Sequence, residues 1–244
     1  MDNKRTLIVI PTYNERENVE RLVTEILNLR LEADLLLIDD NSPDGTGEII
    51  DRLAQSNPNI TTIHRPGKLG VGSGHVDGIL WGYAHGYGRL ITMDCDFSHS
   101  PSYLPQFIQE GKTFDIVVGS RHISQKSLEG WDLFRKFLTK SAYFVTHEIV
   151  GIRFDATSGY RFYRLDRIPR AFFTLPHSKG YAFFFETIYL LQTLGFSIKE
   201  IPVNLAARTR GHSKMSVSEM GRSVFRLFRM ALIVSLRRKK RLIH

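Results

Sequence analysis

Short apolar runs separated by amphipathic stretches set the framework of this chain. Leu7-Ile8-Val9-Ile10, Leu35-Leu36-Leu37-Ile38, Ile60-Thr61-Thr62-Ile63 and Arg89-Leu90-Ile91-Thr92-Met93 read as strands, the first two as fully buried ones. Helical patterns lie between them: residues 14–29, with Val19, Leu22, Val23, Ile26 and Leu27 on one face, residues 46–55, and a segment after Gly74. Further on, residues 115–121 read as a strand, 131–150 as a helix, 154–164 as a strand or hairpin, 186–194 as a helix and 198–203 as a strand. Strands alternating with helices predict an α/β fold of parallel βαβ units with helices on both faces. Ligands in such sheets bind at the carboxyl ends of the strands. The polar clusters 11–15, 39–44 and 94–99 all fall at such ends, and the strand over 115–121 delivers Arg121 to the same edge.

The most informative of these clusters is Asp94-Cys95-Asp96. In an extended strand residues i and i+2 share a side, so both carboxylates can face one divalent cation and the phosphates it holds, as a nucleotide-sugar diphosphate requires. Taken alone, the same pattern also reads as an acidic turn that solvates a strand end.

Composition narrows the setting. The chain has 244 residues, 42% hydrophobic and 24% charged, which suits one α/β domain and excludes a disordered or fibrous class. The single cysteine, Cys95, excludes an internal disulfide framework. The amino-terminal residues lack the pattern of a signal peptide, and no run approaches the ~18 apolar residues of a membrane span, so a cytoplasmic location is expected. The net charge of +8 is concentrated at one end: from Ser216 onward eight Lys or Arg face one acid, Glu219. Without a nucleic-acid-binding motif, that basic end does not make a nucleic-acid-binding module.

Five segments in register carry a resemblance: Ile10-Pro11-Thr12-Tyr13-Asn14-Glu15, Ile38-Asp39-Asp40-Asn41-Ser42-Pro43-Asp44-Gly45, Asp94-Cys95-Asp96-Phe97-Ser98-His99, Gly119-Ser120-Arg121 and Arg208-Thr209-Arg210-Gly211-His212-Ser213-Lys214. In order and spacing they resemble a family 2 glycosyltransferase of the GT-A fold, and within it the dolichol-phosphate (polyprenol-phosphate) mannosyltransferases. The resemblance implies a GT-A, Rossmann-like, mostly parallel sheet over residues 1–215, with residues 216–244 as an amphipathic, polybasic, membrane-associating segment. It implies an inverting transfer of mannose from GDP-mannose to a polyprenyl or dolichyl phosphate, the runner-up being UDP-glucose or another nucleotide sugar as donor.

Carried over position by position, Pro11, Tyr13, Glu15 and Asp40 would line the base and ribose pocket. Asp94 and Asp96 would hold Mg²⁺ or Mn²⁺ on the diphosphate, with Cys95 between them, and Arg121, Arg208 and Lys214 would neutralise phosphate. The third motif position, Gln in many relatives, is Ser98, which argues against a metal contact there. Lys68, before the glycine-rich turn Gly70-Val71-Gly72-Ser73-Gly74, is a diphosphate candidate. Arg135 and Ser213 would serve the acceptor's phosphate, and Glu186, expected at a helix start, would bind a mannose hydroxyl or cap its helix. Arg161 is expected to be structural.

In the tail, Arg222, Arg226 and Arg229 share a helical stripe beside Val224, Phe225, Phe228, Leu232 and Val234. An apolar face flanked by cations describes a helix lying peripherally in the interface of a membrane's cytoplasmic face, and equally one that packs on its own domain. A separate membrane-anchoring subunit is a further partner compatible with that arrangement.

Overall fold

The computed structural model describes residues 3–123, 140–204 and 221–232. In chain order the elements are β1 (Asn3–Thr12), α1 (Val19–Asn28), β2 (Ala33–Asp39), α2 (Thr46–Ser56), β3 (Ile60–His64), α3 (Val71–Ala84), β4 (Tyr87–Thr92), α4 (Leu104–Glu110), β5 (Ile116–Ser120), β6 (Arg161–Arg164), α5 (Ala182–Thr193) and β7 (Ile198–Pro202). A helix over residues 221–232, α6, follows. The strands form one sheet in the order β3-β2-β1-β4-β6-β5-β7. Only β6 runs antiparallel, between β4 and β5.

The alternation of side chains along the strands builds the two layers. Leu7, Val9, Leu36, Ile38 and Leu90 face α3, α5 and α6, whereas Ile8, Ile10, Leu35, Leu37 and Ile91 face α1, α2 and α4. Each such side chain, taken from water into a packed layer, contributes roughly 1.5–3 kcal/mol before chain entropy is charged against it. The order of the first four strands matters for function. The chain moves outward from β1 to β2 and β3 by way of α1 and α2, then crosses the opposite face through α3 to place β4 on the other side of β1. The crevice between the carboxyl ends of β1 and β4 is therefore a topological switch point.

The mostly parallel α/β sheet expected from the sequence is present, with local differences. Helix α1 starts at Val19, not at residue 14, because Asn14 adopts φ 56° and the Glu15 carbonyl accepts the N–H groups of Asn18 and Val19 in a turn. Leu27 lies off the buried face. Helix α3 begins at Val71, so Gly72 and Gly74 lie within it. Of residues 154–164 only the last four are strand, and of 131–150 the described part, from residue 140, is helical and ends in the π turn Val145–Val150. Helix α5 starts at Ala182, which places Glu186 in its second turn, away from the helix start. Arg135, Arg208, Ser213, Lys214 and the tail beyond residue 232 lie outside the described residues.

Candidate active site at the switch point of the sheet

The carboxyl ends of β1 to β5 deliver their polar residues to one rim. At the end of β2, Asp39 is fully buried and structural: its carboxylate accepts from Thr12 Oγ1 at 2.9 Å and from the Ser42 N–H at 2.8 Å. Asp40, the neighbouring carboxylate, is held by Arg65, the first residue after β3. Nε donates to Oδ1 at 2.6 Å and Nη2 to Oδ2 at 2.7 Å, while Nη1 reaches Ser73 Oγ at 2.8 Å and Asp77 Oδ2 at 3.0 Å. Burial raises the Asp40 pKa, and the Arg65 hydrogen bonds and charge oppose that rise without cancelling it. Glu15 is buried as well, and its Oε2 accepts from Asn18 Nδ2 at 2.8 Å. Tyr13 and Lys68 meet across the rim, with the ammonium 5.2 Å from the ring centre, a cation–π distance. Pro11 packs on the first turn of α3, where a β-carbon on Gly74 would lie 3.3 Å from Pro11 Cβ.

Beyond β4, Asp94 and Asp96 sit in a bend rather than in an extended strand, since β4 stops at Thr92 and Phe97 adopts φ 63°. The rule that alternate residues share a face of a strand therefore does not place the two carboxylates; local hydrogen bonds do. The Asp94 N–H donates to His99 Nδ1 at 2.8 Å, and Asp96 Oδ1 accepts from the Ser98 N–H at 3.1 Å. His99 is buried, stacks on Tyr160 at 4.8 Å between ring centres, and has its pKa lowered by burial, so it props Asp94 as a neutral ring. The side chain of Asp94 is 39% exposed and Asp96 is mostly buried. Cys95 between them turns into the core on the α1, α2 and α4 face, so only its backbone faces the rim.

Arg121 follows β5 as expected and is fixed by Asp155, which precedes β6. Its Nε donates to Asp155 Oδ2 at 3.0 Å and its backbone N–H to the same oxygen at 3.3 Å. Asp155 is fully buried; burial pushes its carboxyl up, but Arg121, His122 and the Thr157 N–H outweigh that and hold it at about 2. Glu186, on α5, is engaged locally: its carboxylate accepts from the N–H groups of His177 and Ser178 at 3.0 and 3.1 Å and from Ser178 Oγ at 2.6 Å. Arg161 is structural, fully buried, with Nη2 donating to the carbonyls of Ala156 and Phe184 at 3.1 and 3.0 Å.

The rim thus brings together Pro11, Tyr13, Glu15, Asp40, Lys68, Asp94, Asp96 and Arg121. Arg65, His99 and Asp155 join them: Arg65 directly follows β3, His99 lies within the carboxylate motif, and Asp155 opens the segment through Thr157-Ser158-Gly159-Tyr160-Arg161 that resembles the family's Asp-x-Thr-Gly-Ser-Arg stretch in an altered order. Among the described residues no group of three or more His, Cys, Asp or Glu forms a self-sufficient metal cage. Two carboxylates at an open bend fit a Mg²⁺ or Mn²⁺ that completes its shell with substrate oxygens and water.

Known proteins resemble this chain in sequence and in fold. The chain is 35% identical over 229 residues to the undecaprenyl-phosphate mannosyltransferase of Micrococcus luteus, covering 93% of this chain and 94% of that one. It is 35% identical over 227 residues to the polyprenol monophosphomannose synthase of Mycolicibacterium smegmatis, covering 92% and 86%. Two solved structures share the fold: glucosyl-3-phosphoglycerate synthase from Mycobacterium tuberculosis with Mn²⁺ and UDP-glucose (TM-score 0.62, 19% identity, 94% of this chain and 78% of that one), and the mannosyltransferase PcManGT of Pyrobaculum calidifontis with GDP-Man and Mn²⁺ (TM-score 0.56, 14% identity, 97% and 66%). The model of glycosyl transferase family 2 matches residues 7–168, the stretch that runs from β1 through the carboxylate bend to β6, and the chain belongs to that family.

Proposed function

We propose that this chain transfers mannose from GDP-mannose to a polyprenyl phosphate at the cytoplasmic face of a membrane, with inversion at the anomeric carbon. The observation that supports this most directly is the likeness, over nearly the whole of both chains, to two relatives named for polyprenol-phosphate mannose synthesis, combined with Asp94 and Asp96 at the switch point. For the donor, the supporting observation is a fold neighbour that holds GDP-Man with Mn²⁺.

In this reading Pro11, Tyr13, Glu15 and Asp40 receive the nucleoside, and Lys68, Arg121, Arg208 and Lys214 the diphosphate. Arg135 and Ser213 receive the acceptor. Asp94 and Asp96 would hold Mg²⁺ or Mn²⁺, and the ion would supply positive charge beside the diphosphate leaving group. An oxygen of the acceptor phosphate attacks C1 of mannose from the face opposite the diphosphate. The C1–O bond to GDP breaks, and GDP leaves with the electron pair. Since the nucleophile is already an anion, the protein supplies no obligatory base; its contribution is charge and alignment, worth roughly 2.7–4 kcal/mol for a well-placed donor. Among the described residues no helix is long and apolar enough to cross a membrane. Contact with the membrane that carries the acceptor, as distinct from the acceptor's phosphate, is assigned to the basic segment 216–244, whose described part, α6, leaves Phe225 and Phe228 exposed.

The test is a donor panel of GDP-mannose, UDP-glucose and UDP-GlcNAc with polyprenyl phosphate, with and without EDTA, alongside Asp96→Ala. Product is expected from GDP-mannose alone and only with a divalent cation. Transfer that survives both chelation and Asp96→Ala removes the mechanism, and transfer only from a UDP-sugar replaces the donor.

A further inference from the structure

Helix α6 presents three stripes. Leu227 and Ala231 are buried in the layer that contains α5, while Val224, Phe225, Phe228 and Leu232 are 46–68% exposed on the outside. Arg222, Arg226 and Arg229 form the third stripe. An outward apolar stripe bordered by cations is complementary to an anionic bilayer surface, and the basic residues that follow the helix strengthen the match.

One of these arginines is tied inward. Arg226 Nη1 lies 3.4 Å from Glu186 Oε1 on α5. The same carboxylate grips the loop at residues 177–178 through the three hydrogen bonds described above. Two residues later that loop meets the donor rim: the Ser73 N–H donates to the Lys179 carbonyl at 2.9 Å, and a β-carbon on Gly72 would lie 2.6 Å from the Gly180 carbonyl oxygen. Ser73 Oγ in turn receives Arg65, which holds Asp40. A continuous series of contacts therefore runs from the outward helix to the nucleoside end of the site.

We infer that the Glu186–Arg226 ion pair fixes how the bilayer-docked helix α6 is seated against the donor rim, making Arg226 a positioning residue for transfer to a membrane-embedded acceptor. This rests on the lipid-phosphate acceptor proposed above. Glu186 then acts as a strut between membrane helix and glycine-rich turn. Its carboxylate accepts hydrogen bonds from the loop on one side and meets the guanidinium on the other.

The experiment compares Arg226→Gln with Arg229→Gln, which removes the same charge from the same stripe without touching Glu186. Each is assayed with GDP-mannose on two acceptors: polyprenyl phosphate in phosphatidylglycerol–phosphatidylcholine vesicles, and a short, water-soluble prenyl phosphate in buffer. Both variants are expected to sediment with vesicles equally and to keep soluble turnover within about twofold, whereas Arg226→Gln loses ~5- to 100-fold on vesicles relative to Arg229→Gln, as misalignment at a reacting centre does. Arg226→Lys restores most of that loss. Phe225→Glu with Phe228→Glu abolishes sedimentation and leaves soluble turnover in place. Equal vesicle turnover of the two Gln variants overturns the inference, as does a matching loss on the soluble acceptor. A wild-type chain that turns over the soluble acceptor but stays in the supernatant overturns membrane docking by α6 and leaves the transfer reaction standing. A wild-type chain inactive on both acceptors overturns the proposed reaction itself.

Discussion

Arg65 meets Asp40 edge to edge, Nε on Oδ1 at 2.6 Å and Nη2 on Oδ2 at 2.7 Å, with less than a tenth of either side chain exposed. Because Nη1 also spans Ser73 and Asp77, one planar fork joins the end of β2 to the first two turns of α3. Lysine supplies a point charge and cannot reproduce that fork. Arg65→Lys is therefore expected to lose about 1–3 kcal/mol of stability, as a poorly replaced set of buried hydrogen bonds does. It is also expected to raise the donor KM by more than it lowers kcat, if Asp40 receives the nucleoside in the ground state as proposed above. Urea denaturation and steady-state kinetics check the two parts separately.

Asp155 is the second anchor, and its replacement by Asn tests whether Arg121 is positioned by it. Oδ2 accepts from Arg121 and Oδ1 from the N–H groups of Thr157 and Ser158. Either orientation of an amide turns an NH₂ group toward donors and leaves a buried guanidinium unpaired. Asp155→Asn is expected to cost roughly 3–5 kcal/mol, the penalty for removing one member of a buried ion pair. A thermal or urea unfolding measurement giving a loss below about 1 kcal/mol would show that solvent already shares the pair.

The parts of this fold legible in the sequence are those where local pattern and tertiary role coincide. Strands β1 and β2 are buried on both faces, so each is written as an unbroken apolar run. Their carboxyl ends are written as the polar clusters after Ile10 and Ile38. Strand β6 was only half legible: its insertion between β4 and β5 is a matter of order in space, which periodicity does not encode. Arg65 went unnoticed because an arginine after a strand has no pattern of its own, and its partner lies 25 residues earlier. His99 lay inside a motif, but its role depends on Tyr160, brought to it only by the folded sheet. In α6 the stripes could be read, yet which apolar stripe faces inward is decided by packing: Leu227 is buried and Phe228, its neighbour, is 60% exposed.

Gly78 holds α3 against the sheet. A β-carbon there would lie 2.3 Å from Val9 Cγ1 and 3.1 Å from Ile38 Cδ1, so the helix must lift or β1 must repack. Alanine gains up to about 1 kcal/mol of helix propensity. Overpacking costs about 1–3 kcal/mol and outweighs it. Gly78→Ala is expected to be destabilising, and Gly221→Ala, where a β-carbon meets nothing within 4 Å, neutral or slightly stabilising. Denaturation midpoints of the two variants side by side decide the matter.

Acid sensitivity is expected to have two onsets, an upper one led by the buried His75, to which His99 and His122, also lowered by burial, add, and a lower one set by Asp155. His75 on α3 is pushed down to about 3 by burial, with the charge of Arg161 and the proximity of His99 and Arg65 acting in the same direction. It lies edge-on to Phe184, 5.0 Å between ring centres, in a setting that accommodates only the neutral ring. The unfolded chain takes up this proton below its ordinary value of 6.5, whereas the folded chain resists until about 3. Between those values the unfolded state binds more protons, so stability falls as pH falls, by up to about 1.4 kcal/mol per pH unit. Asp155, held at about 2 against an ordinary 3.8, contributes stability that is present above 3.8 and is lost as pH drops through 2. Urea midpoints measured at pH 7, 6, 5, 4 and 3 should therefore decline for the wild type from pH 6 downward, with the Asp155 limb adding only below pH 4. His75→Phe, which retains an aromatic ring beside Phe183 and Phe184, is expected to reduce the slope of that upper limb, leaving the part carried by His99 and His122, and to leave the lower limb in place. An unchanged slope in the variant would mean that another group carries the upper onset.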